Sequence, residues 1–150
     1  MKRIITGLML AVSLLLTVSC ANSALPSDNQ SALAPTVNGT IIGSHWRAVS
    51  VNGTAVIPES NISLNFGSEG SCQGNAGVNG YGGNYTLNAP DIRFSHLVMT
   101  LLLGPDKRIN QQEQEYIGCL SAASTYEVRD GRLEIFDSAG RLLLTFERTQ

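Results

Sequence analysis

The twelve residues GNAGVNGYGGNY, positions 74–85, hold five glycines, three asparagines and two tyrosines. Glycine loses more conformational freedom on ordering than any other residue and costs about 1 kcal/mol per position inside a helix. No helix therefore runs through this stretch; the chain turns, bulges or admits another backbone there. A phosphate cradle is the competing use. A dinucleotide fingerprint needs G-x-G-x-x-G directly before a helix. Gly80-Tyr81-Gly82 begins that pattern, but Tyr85 stands where the third glycine belongs and strand-type residues follow. No Walker lysine follows a glycine either, so the glycines belong to the fold.

Alternation surrounds them. HWRAVSV (45–51) places Trp46, Ala48 and Ser50 on one side and Arg47, Val49 and Val51 on the other, before Asn52-Gly53, a favoured hairpin turn. ISLNF (62–66) puts Ile62, Leu64 and Phe66 on one face and Ser63 and Asn65 opposite. GSEG (67–70) then turns the chain so that residues 71–76 pair back, and NYTL (84–87), the NAPD turn and IRF (92–94) continue the pattern. Near the C-terminus, Asp130-Gly131 and Ser138-Ala139-Gly140 turn a three-strand meander with Leu133, Ile135, Leu142, Leu144 and Phe146 inward. One helix is expected, from Asp106 to about Ala123, on an apolar stripe of Ile109, Tyr116, Ile117, Leu120 and Ala123. Cys119 lies about 80° from the centre of that stripe. Strands, one helix, then strands again predict an α+β fold: a strongly curved antiparallel sheet or open barrel packed against one α-helix.

The N-terminus reads as an address. Lys2 and Arg3 precede an apolar run from Ile4 to Leu16, too short to span a bilayer but suited to a secretory signal. The exit LTVSC resembles a bacterial lipobox, with Leu16 four residues before Cys20 and Thr17 in the usual leucine place. That predicts a signal peptide over 1–19 and an acylated Cys20; cleavage after Ala21 or Ser23, giving a soluble secreted or periplasmic protein, is the alternative. One acyl chain binds a membrane marginally and two or more bind stably. Residues 20–40 carry the lipidated cysteine and a tether poor in aromatic and charged residues, reaching roughly 25 Å. The expected location is the bacterial envelope, lipid-anchored to the outer membrane and facing the periplasm.

Residues 41–150 make one domain, long enough to build a core without a metal. With Lys2 and Arg3 removed, eight basic residues face twelve acidic ones, a balance near −4. Nucleic acid, which selects basic stripes, is not an expected partner. Besides Cys20 the chain has Cys72 and Cys119. An even pair in an oxidising compartment suggests a possible bridge, and closing the loop of roughly 48 residues would contribute about 4 kcal/mol; two buried thiols are the competing reading. His45 and His96 sit in separate extended segments, no G-x-S-x-G elbow occurs, and the cysteines and histidines lack zinc spacing. Glu113 and Glu115, two apart on the helix, point to different faces and read as solvated. The chain is read as non-enzymatic, with no cofactor and no metal.

HWRAVSVNG, ISLNFGSEGSCQGNAGVNGYGGNY, MTLLLGPDKRINQQEQEYI and TYEVRDGRLEIFDSAGRLLLTFER, in that order, resemble the META domain family, also called HslJ-like after a heat-shock lipoprotein. The likeness covers about residues 42 to 148. Its G-C-N-x-Y-x-G-x-Y signature finds Gly77, Asn79, Tyr81, Gly83 and Tyr85; its T-x-M-A-C-P segment finds Thr100, Leu102, Leu103 and Pro105; its E-Q-E helix motif finds residues 113–115. The two family cysteines are Val78 and Gly104 here, lost together as spatial neighbours would be. Cys72 and Cys119 are then a candidate substitute staple between sheet and helix. The resemblance implies an association with stress. The resulting reading is a non-enzymatic envelope lipoprotein domain, serving envelope integrity or heat-shock-type tolerance by binding another envelope protein; a carrier of a small apolar ligand is the alternative. The candidate binding surface is Asn79, Tyr81 and Tyr85. The competing structural reading has the tyrosines fill core while Gly77, Gly80, Gly82 and Gly83 supply positive φ or close approach.

Overall fold

The computed structural model describes residues 41–149. The signal segment, the acylated Cys20 and the tether lie outside the described residues. Strands β1 (His45–Val51), β2 (Thr54–Ala55), β3 (Ser63–Phe66), β4 (Ser71–Asn75), β5 (Gly80–Asn88) and β6 (Asp91–Met99) precede helix α1 (Lys107–Ala122). Strands β7 (Thr125–Arg129), β8 (Arg132–Phe136) and β9 (Leu142–Thr149) follow it. All pair antiparallel in the order β2-β1-β3-β4-β5-β6-β7-β8-β9, and β9 returns onto β1 along the whole of that strand. The curved sheet thus closes on itself, which removes most of its exposed edges. Its thinnest seam is between β6 and β7, joined by the single pair Asp91 and Thr125.

Local chemistry accounts for the elements. Asn52-Gly53 and Asp130-Gly131 both have positive φ, as two-residue hairpin turns require. Asp106 caps α1: its Oδ1 accepts from the Arg108 backbone N–H at 2.8 Å, and the Arg108 side chain above all, then that N–H, hold its carboxyl below the usual range. Strand alternation holds in β3, β7 and β8 but breaks in β9, where Leu143 to Phe146 are all buried, in β6 at His96, and in β1. In β1, Trp46, Ala48 and Val51 are all buried, because the register shifts between Ala48 and Ser50 and inserts Val49 as an extra residue.

The glycine-rich stretch forms the end of β4, a turn and the first half of β5. Gly74 is where backbone meets backbone: a Cβ there would lie 2.0 Å from the Ser63 carbonyl oxygen. Gly83, at the β5 bulge, leaves room for Ser95 O and Leu97, and Gly77 has φ +141°. Gly80 and Gly82 differ from expectation, since a Cβ on either would meet nothing closer than 3.7 Å. They are strand residues free of steric demand.

Helix α1 lies across the end of the sheet formed by the turns at 52–57 and 76–79 and the segment after β6. Gln112 accepts from Ile57 N–H and donates to Ala55 O. Tyr116, fully buried, packs edge-on against Tyr81 and Phe146 at 5.6 and 6.3 Å. Leu120 completes the buried stripe beneath them.

Candidate functional site

Asn79, just before β5, is nearly enclosed and makes bonds in every direction. Its Oδ1 accepts from Leu102 N–H (2.7 Å) and Thr100 Oγ1 (2.8 Å), and its Nδ2 donates to Leu102 O (2.9 Å) and Glu113 Oε1 (2.7 Å). Glu113 reaches from α1 to close the network: its Oε2 accepts the backbone N–H groups of Val78 (2.9 Å) and Asn79 (2.7 Å). Glu113 is therefore not solvated, as its spacing from Glu115 had implied, but 2% exposed, while Glu115 lies in solvent and takes a bond from Gln111. A signal for this was present in the sequence. Glu113 falls four residues after Ile109 and three before Tyr116, on the apolar stripe itself, where a carboxylate persists only if donors meet it.

The candidate surface of Asn79, Tyr81 and Tyr85 is corrected: all three are buried, the tyrosines in the core as the competing structural reading has them, because each residue's polar end finds a partner inside the fold. Tyr81 donates to Ser63 O at 3.0 Å and meets the Tyr116 hydroxyl at 2.7 Å; Tyr85 donates to Gly67 O at 2.6 Å. Burial raises all three phenols above their ordinary pKa. The possible Cys72–Cys119 bridge is not formed, and the alternative of two buried thiols is what the structure has. Both are free buried thiols, Cys72 on β4 and Cys119 on α1, where its Sγ donates to Asn52 Oδ1 at 3.3 Å. Burial pushes the Cys72 thiol up to about 11 and raises Cys119 as well, assisted there by Glu115. Val78 and Gly104, at the positions of the two family cysteines, are neighbours: a Cβ on Gly104 would fall 2.5 Å from Val78 Cγ2.

What reaches solvent instead is the segment after β6. Leu101, Leu102 and Leu103 are 90%, 64% and 91% exposed, with Val98 on β6 at 70%. This crown is not slack loop. Asn79 grips both the N–H and the C=O of Leu102, and Asn110 on α1 grips both those of Gly104, with 2.9 Å bonds to each. Two asparagine amides thus stand in for a neighbouring strand, binding alternate residues while Leu101 and Leu103 project between them. An open cleft of about 330 Å³ lies beside the leucines, lined by them and by Met99, Asn79, Asn110, Glu113 and Gln114. In the sequence this segment carries a family-motif match but no sign of its exposure, because a run of three leucines before Gly-Pro has no period that assigns it to a strand or a helix.

Residues 39–150 match the META domain model. The chain belongs to the META domain family. No curated protein matches it. Among solved structures, an NMR structure of a protein from Burkholderia xenovorans is similar at 22% identity and TM-score 0.60, over 73% of this chain and 84% of that one. A second NMR structure is similar at 18% identity and TM-score 0.58, over 70% and 88%. A crystal structure of a DUF4847 family protein from Bacteroides vulgatus ATCC 8482 reaches TM-score 0.50 at 13% identity, over 70% and 92%. At these identities the likeness is one of fold. Within this META domain, residues from three of the family's motifs, Asn79, Thr100 and Glu113, meet in a single hydrogen-bond network.

Proposed function

We propose that this META domain is a non-catalytic, HslJ-like module of the bacterial envelope, anchored through a lipid on Cys20, that supports envelope integrity or stress tolerance by docking a protein partner in the envelope on the leucine crown. The observation that carries the docking reading is a run of three leucines, 64% to 91% exposed, on a segment whose backbone is hydrogen-bonded in place. Exposed apolar patches of a few hundred Å² on a folded domain mark interaction sites. The anchor rests on the Cys20 context, and the stress association on the family resemblance.

The polar groups of the core favour a non-catalytic role. Glu113 is occupied by three N–H donors, and both thiols are shifted away from the thiolate that nucleophilic chemistry needs. A carrier would hold its ligand between sheet and helix, but Tyr116 and Leu120 fill that space.

The test uses the full-length protein with Leu101→Glu and Leu103→Glu together, in cells lacking the native copy. These side chains touch little, so thermal stability is expected to stay within a few degrees while rescue of envelope-stress sensitivity is lost. A folded variant that rescues fully would sink the docking reading. Labelled palmitate retained by Cys20→Ala would sink the anchor.

A further inference from the structure

We infer that the crown's occupant is a second copy of this chain, docked about a two-fold axis; the inference rests on the docking reading above and names its partner. A two-fold interface must be complementary to itself, with each copy offering both knob and hole. This patch offers both: Leu101 and Leu103 project at 90% and 91% exposure, and the cleft of about 330 Å³ beside them is lined by the same leucines with Met99 and Gln114. The cleft exceeds the volume of one leucine side chain, so each copy can seat its Leu103 in the other.

Charge favours a like partner. Residues 94–105, FSHLVMTLLLGP, contain no Asp, Glu, Lys or Arg, and the carboxylate that lines the cleft, Glu113, is buried and held by three N–H donors, so two copies face each other across this segment without exposed like charges. A different protein selected by charge would find nothing here to read. The Gln114 amide at the cleft rim makes no hydrogen bond among the described residues, and an amide, donor and acceptor at once, is its own complement across a two-fold axis.

Gly80 and Gly82 find a role in the same surface. Gly82 pairs with Val98, and a Cβ on either glycine would meet nothing closer than 3.7 Å. Neither is glycine for the fold's sake. Together they leave a side-chain-free strip beside Val98, flat enough for a second copy to lie against.

The area sets the strength. Four exposed aliphatic side chains offer roughly 400 Å² of apolar surface per copy. With the glycine strip and the cleft rim, two copies bury roughly 1,000–1,200 Å² in total, the lower edge of specific interfaces. The dimer is therefore weak and concentration-dependent.

The deciding experiment places a benzophenone residue at position 103 of the full-length protein and irradiates intact envelopes of producing cells. A crosslinked species of twice the chain's mass, carrying tags from two differently tagged copies, is expected. It should fall at least tenfold on Leu101→Glu with the thermal midpoint unchanged. An adduct to a different protein that Leu101→Glu abolishes overturns the second-copy inference and leaves the docking reading standing. A self-adduct indifferent to Leu101→Glu is random collision and overturns the inference. No adduct at all overturns both.

Discussion

Glu113→Gln isolates the charge and acceptor pattern of the buried network from its volume. Glutamine keeps the heavy-atom shape but replaces one acceptor oxygen with an NH₂ donor. Turned toward Val78 and Asn79, that NH₂ faces two backbone donors; turned the other way, it faces Asn79 Nδ2. Flipping Asn79 does not help, since its Oδ1 is held by Leu102 N–H and its Nδ2 by Leu102 O. The least costly arrangement leaves one donor–donor conflict, about 1–3 kcal/mol, and weakens two charge-assisted bonds by about 1 kcal/mol each. Together these come to about 3–5 kcal/mol, a fall in midpoint temperature on the order of 10–20 °C for a domain of this size. Guanidinium unfolding followed through Trp46, the chain's one tryptophan and a core residue, measures it. Glu115→Gln on the same helix is the control and should stay within about 0.5 kcal/mol. A Glu113→Gln protein as stable as the control, with an unchanged m-value, would refute the claim that this carboxylate ties helix to sheet.

The glycines should separate by position: Gly74→Ala, whose Cβ would sit 2.0 Å from Ser63 O, should cost about 3 kcal/mol, whereas Gly82→Ala should be neutral or stabilising by up to about 1 kcal/mol in the same unfolding assay. Val78→Cys with Gly104→Cys should oxidise to a bridge, because Val78's two Cγ atoms lie 2.5 and 3.6 Å from an ideal Gly104 Cβ. Closing that loop of roughly 27 residues should contribute about 3–4 kcal/mol, and an oxidised form no more stable than the reduced one would contradict the placement. Tyr81 and Tyr116 have folded pKa values raised above the unfolded value near 10. Their contribution is thus fully present below pH 10 and is lost as pH rises from there through the folded values, at about 1.4 kcal/mol per pH unit for each group. Tyr116→Phe should flatten that alkaline limb in a stability-against-pH series, and an unchanged slope would place the phenol in solvent.

The sheet and the helix were legible because each signal was local. Asn52-Gly53 and Asp130-Gly131 admit few alternatives to hairpins, Ile62, Leu64 and Phe66 alternate cleanly, and the helix bounds follow from Asp106 and the apolar stripe. The β1 bulge was hidden because it depends on the register against β9, a strand nearly one hundred residues away in sequence. Val78 and Gly104 were expected to be neighbours because both departed from the family pattern at once, and the pairing of a larger side chain with a missing one bears out that expectation. The cysteines misled because an even count constrains redox state but not distance. Asn79 and Glu113 misled for a related reason: Asn and Glu are read as surface by composition, and only their partners show whether burial is affordable, whereas the tyrosines fill core as the competing reading has them.

The three leucines and the buried network are two sides of one construction. A free TLLLGP segment lowers its energy by turning leucines inward, so holding Leu101 and Leu103 in water requires that backbone bonds elsewhere be better satisfied in the outward arrangement than in any collapsed one. Asn79 and Asn110 supply that condition, since each saturates both polar groups of one residue and together they space the segment like a strand. Asn79 can do so only while Glu113 holds its amide and backbone in place. The same carboxylate that joins helix to sheet therefore also fixes which side chains the domain presents. In this chain, stability of the fold and exposure of the docking surface cannot be varied independently at Glu113, whereas at Leu101 and Leu103, beyond the network, they can.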